Sequence, residues 1–505
     1  MGRLFPCINL PGKTWFNIHH FSSKELFKTF KFRFLYVGFN IVCIMTPLNE
    51  LYAKTDVLKR KPFLGNTFHI LKDPVDFLGK LTKSHGPIVH ANFAGRKYFI
   101  LQHPDYIQHV LLENHKAYCK PGATKLLRIF LGEGLSTSNG ELWLRQRRIM
   151  QPAFHKQRLL HILNIINEET DSFIDKLNEL PARARLNISH EFLQLTISFI
   201  SRAMFSTALK EEMELMVKAL EALAMYASRW MKSMIKIPTH WPTPANINFR
   251  KNCKIFDDII YNIIERRRKD IANDVLPAEE DLLDMLMGYY DEETRSGMPE
   301  KQLRDEVTTM FMAGHETTAQ TLSWIFYHLA KEKKINQKVR NEAAKILDGR
   351  LPSLNDLSQL IYTKQVIDEG LRCYPPIWAL VRRPLHNDDI NGIKITASSN
   401  VLINIYGMHH HPGYWATPDV FNPAHFDAAS AQSRHQFAYI PFGGGPRLCL
   451  GRSFAVMVMQ VVVSRLSQCF EFSIPDGYVA QIEPNITLRA KDGIQLVVTS
   501  IGKPN

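Results

Sequence analysis

Apolar positions recur at helical spacing along most of the chain. The windows 141–151, 156–178, 187–205, 210–235, 251–272, 299–332, 334–348 and 451–468 repeat apolar side chains every three or four residues, as a helix with one buried face does. β-like runs are fewer, near 88–102, 380–405 and 485–500, and Gly and Pro set them off. No repeat or low-complexity tract interrupts the pattern, and 273–281 reads as a surface connection. The expected architecture is mainly α, with small β-sheets tucked at one side. An N-terminal arm over 1–50 precedes a single domain over 51–505. Within the arm, Phe34 to Met45 is apolar but short, interrupted by Asn40 and followed by Pro47. A spanning helix needs about 20 apolar residues, so none is expected here. An arm docked on the body is the plainer reading, beside a shallow, peripheral membrane contact.

The longest predicted helix, from Pro299 to about Lys331, breaks its own rules in the middle. Val307, Met310, Phe311, Leu322, Ile325, Phe326 and Leu329 keep helical spacing around Ala313-Gly314-His315-Glu316-Thr317-Thr318. Gly costs about 1 kcal/mol in a helix interior, and β-branched residues lose rotamer freedom there. Local rules are usually broken at functional sites.

Composition narrows the class. With 505 residues, 45% hydrophobic and 22% charged, the chain reads as a globular protein with a large core. Lys and Arg total 62 against 49 Asp and Glu, a net charge of +13. The basic residues are spread out, with no tract or aromatic–basic motif. This points away from nucleic acid and towards an acidic protein partner or a membrane surface. The seven cysteines (Cys7, Cys43, Cys119, Cys253, Cys373, Cys449 and Cys469) show no CxxC pair or framework spacing. A reducing, cytoplasmic compartment follows as the expectation.

The densest chemical signal is Phe442-Gly443-Gly444-Gly445-Pro446-Arg447-Leu448-Cys449-Leu450-Gly451. The glycines permit unusual backbone angles. A cysteine just before a helix has backbone N–H groups and the helix dipole to stabilise a thiolate, and Arg447 adds charge. A glycine turn around an inert cysteine would explain the glycines but not the full pattern F-x-x-G-x-R-x-C-x-G. That pattern resembles the cysteine loop of the cytochrome P450 superfamily. The resemblance runs from about Lys61-Pro62-Phe63-Leu64-Gly65-Asn66 to the last strands.

The resemblance implies the cytochrome P450 fold and a haem-thiolate monooxygenase with haem b (iron protoporphyrin IX). Cys449 would be the iron ligand, with Phe442, Gly443, Arg447 and Gly451 around the cofactor. Trp143 and Arg147 match W-x-x-x-R, whose members reach the haem propionates. Arg382 matches another propionate-binding position, with Arg383 its rival. Glu369 and Arg372 match E-x-x-R, the buried pair that props the cysteine loop. In Phe421-Asn422-Pro423-Ala424-His425-Phe426, His425 stands where the family's F-x-P-x-R-F has Arg, which puts the strength of that network in question. On the distal side, Ala313 to Thr317 resembles the A/G-G-x-D/E-T motif: Gly314 leaves space for dioxygen, Thr317 hydrogen-bonds it and Glu316 relays protons.

Phe311, Ala313, Ile377, Trp378, Ala379 and Leu380 are expected to line the substrate pocket. Arg229 to Asn248, with Met231, Met234 and Trp241, resembles the lid of bacterial fatty-acid-hydroxylase-like members. Met-rich, aromatic walls suit an apolar molecule such as a fatty acid or terpenoid. Nothing resembling a flavin or nicotinamide site follows Cys449, so electrons are expected from a separate ferredoxin or flavoprotein. His409-His410-His411 lies on a connecting segment, where neighbours point to opposite faces, and is not expected to bind a second metal. The rival readings are a haem-thiolate peroxygenase or isomerase, and a haem-based sensor or ligand-binding protein without turnover.

Overall fold

The computed structural model describes residues 30–37, 40–47, 56–58, 65–121, 125–155, 158–209, 212–233, 236–275, 279–291 and 295–502. Met234, Cys7 and the stretch Lys61 to Leu64 lie outside them. Phe30–Val37 and Asn40–Pro47 pair as an antiparallel hairpin, with Phe30 opposite Pro47 and Val37 opposite Asn40. The apolar stretch Phe34 to Met45 thus falls in two short strands. This hairpin belongs to a unit of its own that includes Met1–Thr55.

The second unit, Asp56–Ile390 with Lys394–Asn505, holds the long helices. They are α1 (Gly140–Met150), α2 (Leu159–Asn178), α3 (Ile188–Phe205), α4 (Met213–Lys232), α5 (Pro244–Ala272), α6 (Glu300–Lys331), α7 (Lys333–Leu347), α8 (Ile361–Cys373) and α9 (Arg452–Cys469). α5 starts ahead of its predicted window. Thr243 accepts the Asn246 amide at 3.2 Å and Pro244 takes the first helical position, so local capping starts the helix before the apolar period becomes legible.

α9 is buried along nearly its whole length, from Met457 to Cys469. Some of its polar residues find partners inside the fold: Gln460 donates to Leu357 O at 2.8 Å and Ser464 to Gln460 O at 2.7 Å. Around it pack α2, α6, α7 and α8, and α3 joins α2 and α6 in the same core. Phe192 of α3 lies between Phe173 and Phe326, with ring centroids 6.0 and 5.3 Å away. Each such fully buried ring contributes roughly 1.5–3 kcal/mol.

The sheets are small. Six strands run in the order Asp56–Val57, Ile88–Phe93, Arg96–Leu101, Asn400–Ile403, Leu380–Pro384 and Tyr118–Cys119. A three-stranded sheet joins Phe470–Ser473, Gln495–Ser500 and Ala184–Asn187, and Ile482–Pro484 pairs with Leu488–Ala490 in a hairpin. The fold is mainly α with small β-sheets.

The start of α6 anchors the chain that leads into α1. Asp305 accepts the Glu133 amide and Glu306 the Leu135 amide, both at 2.9 Å. That fixes the loop whose continuation, Ser138 and Asn139, reaches the cysteine segment.

Candidate active site

The cysteine loop is shaped by two left-handed glycines, Gly443 (φ 75°) and Gly445 (φ 66°). A Cβ on Gly445 would overlap the Leu111 carbonyl, so this position has no side chain to spare for any other residue. Gly451 makes no such demand: its φ is −82° and it serves as the N-cap of α9. The Cys449 amide donates to Phe442 O at 3.0 Å, closing the loop. The thiol keeps accessible surface although protein surrounds it closely, so it faces an internal space rather than bulk solvent. Burial pushes its pKa up, against the opposing pull of the Gly451 amide and the Arg147 and Arg452 charges. An iron bound to the sulfur would tip that balance, because a coordinating thiol is deprotonated outright.

Four cations gather beside the loop. Arg147 donates to Leu448 O at 2.7 Å, and Arg447 to Ser138 O at 3.2 Å and Asn139 Oδ1 at 3.3 Å. Arg382 donates to the Val381 carbonyl at 3.1 Å and Lys120 to the Ser136 carbonyl at 2.5 Å. Among the described residues none of the four has a carboxylate partner. Burial, with repulsion from Arg447, Arg382 and Arg128, drives Lys120 down to about 7. Burial brings Arg382 down to about 10, and burial with repulsion from Arg382 does the same to Arg447. The Arg447 guanidinium lies 4.1 Å over the Trp143 ring. Arg382 and Arg383, undecided from sequence, part company here. Arg382 turns to Arg447, whereas Arg383 donates to Asn400 Oδ1 at 3.3 Å. Lys120 went unnoticed in the sequence, since a single Lys before Pro121 carries no motif.

Buried like charges without an acid are costly, and a dianion among them would repay the cost. Haem, with two propionates and an iron for Cys449, fits this donor set.

Behind the loop, Glu369 and Arg372 are fully buried on α8. Arg372 also donates to His409 O and Pro418 O, each at 2.8 Å, and to Val420 O at 3.0 Å. His409 in turn accepts the Ile440 amide on Nε2 at 3.0 Å, which ties the pair to the entry of the cysteine loop. The three adjacent histidines go separate ways: His410 bonds Tyr406 O at 2.9 Å and His411 accepts the Gly413 amide at 2.9 Å. His425 Nδ1 meets Glu369 Oε1 at 3.1 Å, while its Nε2 meets the Ala416 carbonyl.

On α6, Ala313 and Thr317 share the open face, and the Thr317 hydroxyl donates to Ala313 O at 2.7 Å. Its oxygen keeps acceptor capacity. Glu316 is buried, accepts the Thr487 hydroxyl at 2.8 Å, and is pushed up by burial.

At Gly314 a Cβ would sit 2.7 Å from Ile200 Cδ1, so the glycine also serves the close packing of α6 on α3. Phe311 was expected to line the pocket. It is fully buried and stacks on Phe205 at 4.9 Å, on the core face of the helix one turn from His315. Ile377, Trp378, Ala379 and Leu380 are half-buried. Leu380 lies beside Gly443, with its Cδ1 3.8 Å from where a Cβ would stand, whereas Trp378 turns its indole N–H to Asn485 O at 3.0 Å.

Comparison with known proteins agrees with this geometry. The family model described as Cytochrome P450 matches residues 56–498. Human Cytochrome P450 4F3 is 32% identical over 417 residues, covering 78% of this chain and 80% of that protein. The chloroplastic protein LUTEIN DEFICIENT 5 of Arabidopsis thaliana is 28% identical over 445 residues, covering 85% and 74%. Cyclooctatin synthase of Streptomyces melanosporofaciens is 28% identical over 431 residues, covering 85% and 92%. Fold and cysteine loop together define a haem-iron monooxygenase. The chain belongs to the cytochrome P450 family. Among the described residues no helix is long and apolar enough to cross a membrane.

Proposed function

We propose that Cys449 ligates the iron of haem b, that Arg147, Arg382, Arg447 and Lys120 receive its propionates, and that the enzyme oxygenates an apolar fatty acid or terpenoid. The observation that carries this reading is the cluster of wholly or partly buried cations beside the cysteine loop, without a carboxylate partner among the described residues. Bound haem supplies dioxygen binding and O–O cleavage, favoured by electron donation from the thiolate.

The chain's own residues do the rest. Trp143 holds the Arg447 guanidinium in place. Glu369, Arg372 and His425 keep the segment before the loop in position. Thr317 offers an oxygen to a hydrogen-bond donor on the open face of α6, and Glu316 passes protons towards it. Ala313, Ile377 and Leu380 supply an apolar wall that orients the substrate and excludes water. Relatives named for lutein deficiency and for cyclooctatin synthesis favour the terpenoid side of the substrate choice. Electrons come from a separate ferredoxin or flavoprotein, which the net charge of +13 would attract if the partner is acidic.

The test is the carbon monoxide difference spectrum of the reduced protein beside Cys449→Ser, followed by a spin-state screen of fatty acids and terpenoids. A red-shifted Soret band present only with Cys449 supports the ligand assignment. A histidine-type spectrum unchanged in the variant sinks it.

A further inference from the structure

Glu221 of α4 belongs to two spaces at once. It lines an open cleft of about 400 Å³ between α4 and α5, together with Lys218, Met225, Trp230 and Asn246. It also lines an inner recess of about 20 Å³ with His315, Glu316, Gln320 and Arg489. A polar recess of that size holds about one water. Gln320, which lines the recess, has a buried Oε1 without a partner among the described residues, an acceptor such a water can serve. Glu316 lines the same recess, one residue from Thr317 and bonded to Thr487.

We propose that Glu221 is the outer carboxylate of a proton path that enters from the α4–α5 cleft, crosses the recess on water and ends at Glu316. The inference rests on the reading of Glu316 and Thr317 as the proton-handling pair. Each carboxyl takes a proton from water on its outer side and releases one on its inner side, so neither is consumed. The groups facing Glu221 are His190 of α3, Glu214 of α4, Glu316 of α6 and Arg489, which is itself paired with Glu483 at 2.7 Å. Burial raises both Glu221 and Glu316, which brings carboxyls that would otherwise be fully ionised closer to exchanging protons at neutral pH.

The experiment measures reductant-driven oxygen uptake by the holoenzyme with an iron–sulfur ferredoxin and its reductase, in H2O and in D2O. Glu221→Gln should slow uptake roughly threefold to tenfold and raise the H2O/D2O rate ratio, because a relay member limits proton arrival. Glu221→Asp should recover most of the rate. Haem content and the carbon monoxide spectrum should stay unchanged in both. If Glu221→Gln loses haem, Ala224→Leu takes its place, since it fills the recess from α4 without altering a charge. Unchanged rate and isotope ratio in the Glu221 variant, with Glu316→Gln slowed, overturn the path alone. If Glu316→Gln is also unchanged, the underlying reading of the proton-handling pair fails with it.

Discussion

Arg372 closes a two-point fork on Glu369, Nε to Oε2 and Nη2 to Oε1, both at 2.7 Å, with both side chains fully buried. The remaining guanidinium hydrogens go to carbonyls of the segment that precedes the cysteine loop. Two charges removed from water repay their desolvation only with this completeness of partners. Glu369 is held below the usual carboxylate range: burial works against ionisation, and the hydrogen bonds from Arg372 and His425 and the Asn422 amide outweigh it.

Removing either charge therefore leaves the other stranded. Glu369→Gln and Arg372→Met should each cost about 3–5 kcal/mol. The measurement is haem retained per chain after purification, together with the denaturant midpoint. Both should fall, and wild-type values in either variant would mean that the fork does not hold the loop.

His425 lies between two acceptors, with one ring nitrogen facing the Glu369 carboxylate and the other the Ala416 carbonyl. His425→Ala takes one hydrogen bond from the buried Glu369 carboxylate, which keeps Arg372 and the Asn422 amide, and should cost about 1–3 kcal/mol. His425→Arg supplies more donors in a fork and should match or exceed wild-type stability, provided Arg434, which donates to His425 O and stacks on Trp415 at 3.8 Å, makes room. Thermal melts of the three holoproteins, read against haem content, decide the ranking.

What sequence could reveal here depended on how local each signal was. Helices with one apolar face announced themselves, and so did Cys449, Glu369 and Arg372, whose spacing lies within one loop or one helical turn. Which face of α6 meets which neighbour is a tertiary fact. Phe311 and Ala313 stand two residues apart, yet one stacks in the core on Phe205 and the other is exposed. Lys120 joins Arg382 and Arg447 across strands remote in the chain, so no window contained the cluster. The hairpin over 30–47 was unread because its apolar run is compatible with several conformations.

Lys120 provides a proton count for cofactor binding. At about 7 in the haem-free chain, it is roughly nine-tenths neutral at pH 8, and two carboxylates beside it would restore its charge. Lys120 should then take up close to one proton as haem binds at pH 8, against the proton the Cys449 thiol gives up to the iron, and the net count is measured calorimetrically in buffers of different ionisation heat. The sign for stability follows. The unfolded chain keeps this proton up to the ordinary lysine range and the folded haem-free chain does not. The haem-free fold should therefore gain stability as pH rises from about 7 towards 10. Lys120→Met should shift the net count by close to one proton towards release and flatten that slope, and an unchanged count in the variant would reassign the proton.

Gly314 separates a packing role from an oxygen-binding one. In Gly314→Ala the new methyl meets Ile200 Cδ1 at 2.7 Å, so α6 and α3 must part or Ile200 must leave its rotamer. Overpacking of this kind costs about 1–3 kcal/mol. Ile200→Val removes the offending methyl and by itself leaves a small gap, costing about 0.5–1.5 kcal/mol. The two changes touch one contact, so they should not add: the double variant should be more stable than Gly314→Ala alone, a coupling a double-mutant cycle reads directly. If Gly314 acted only through space beside the cofactor, Ile200→Val would not rescue it, and oxygen uptake rather than the melting midpoint would carry the effect of the alanine.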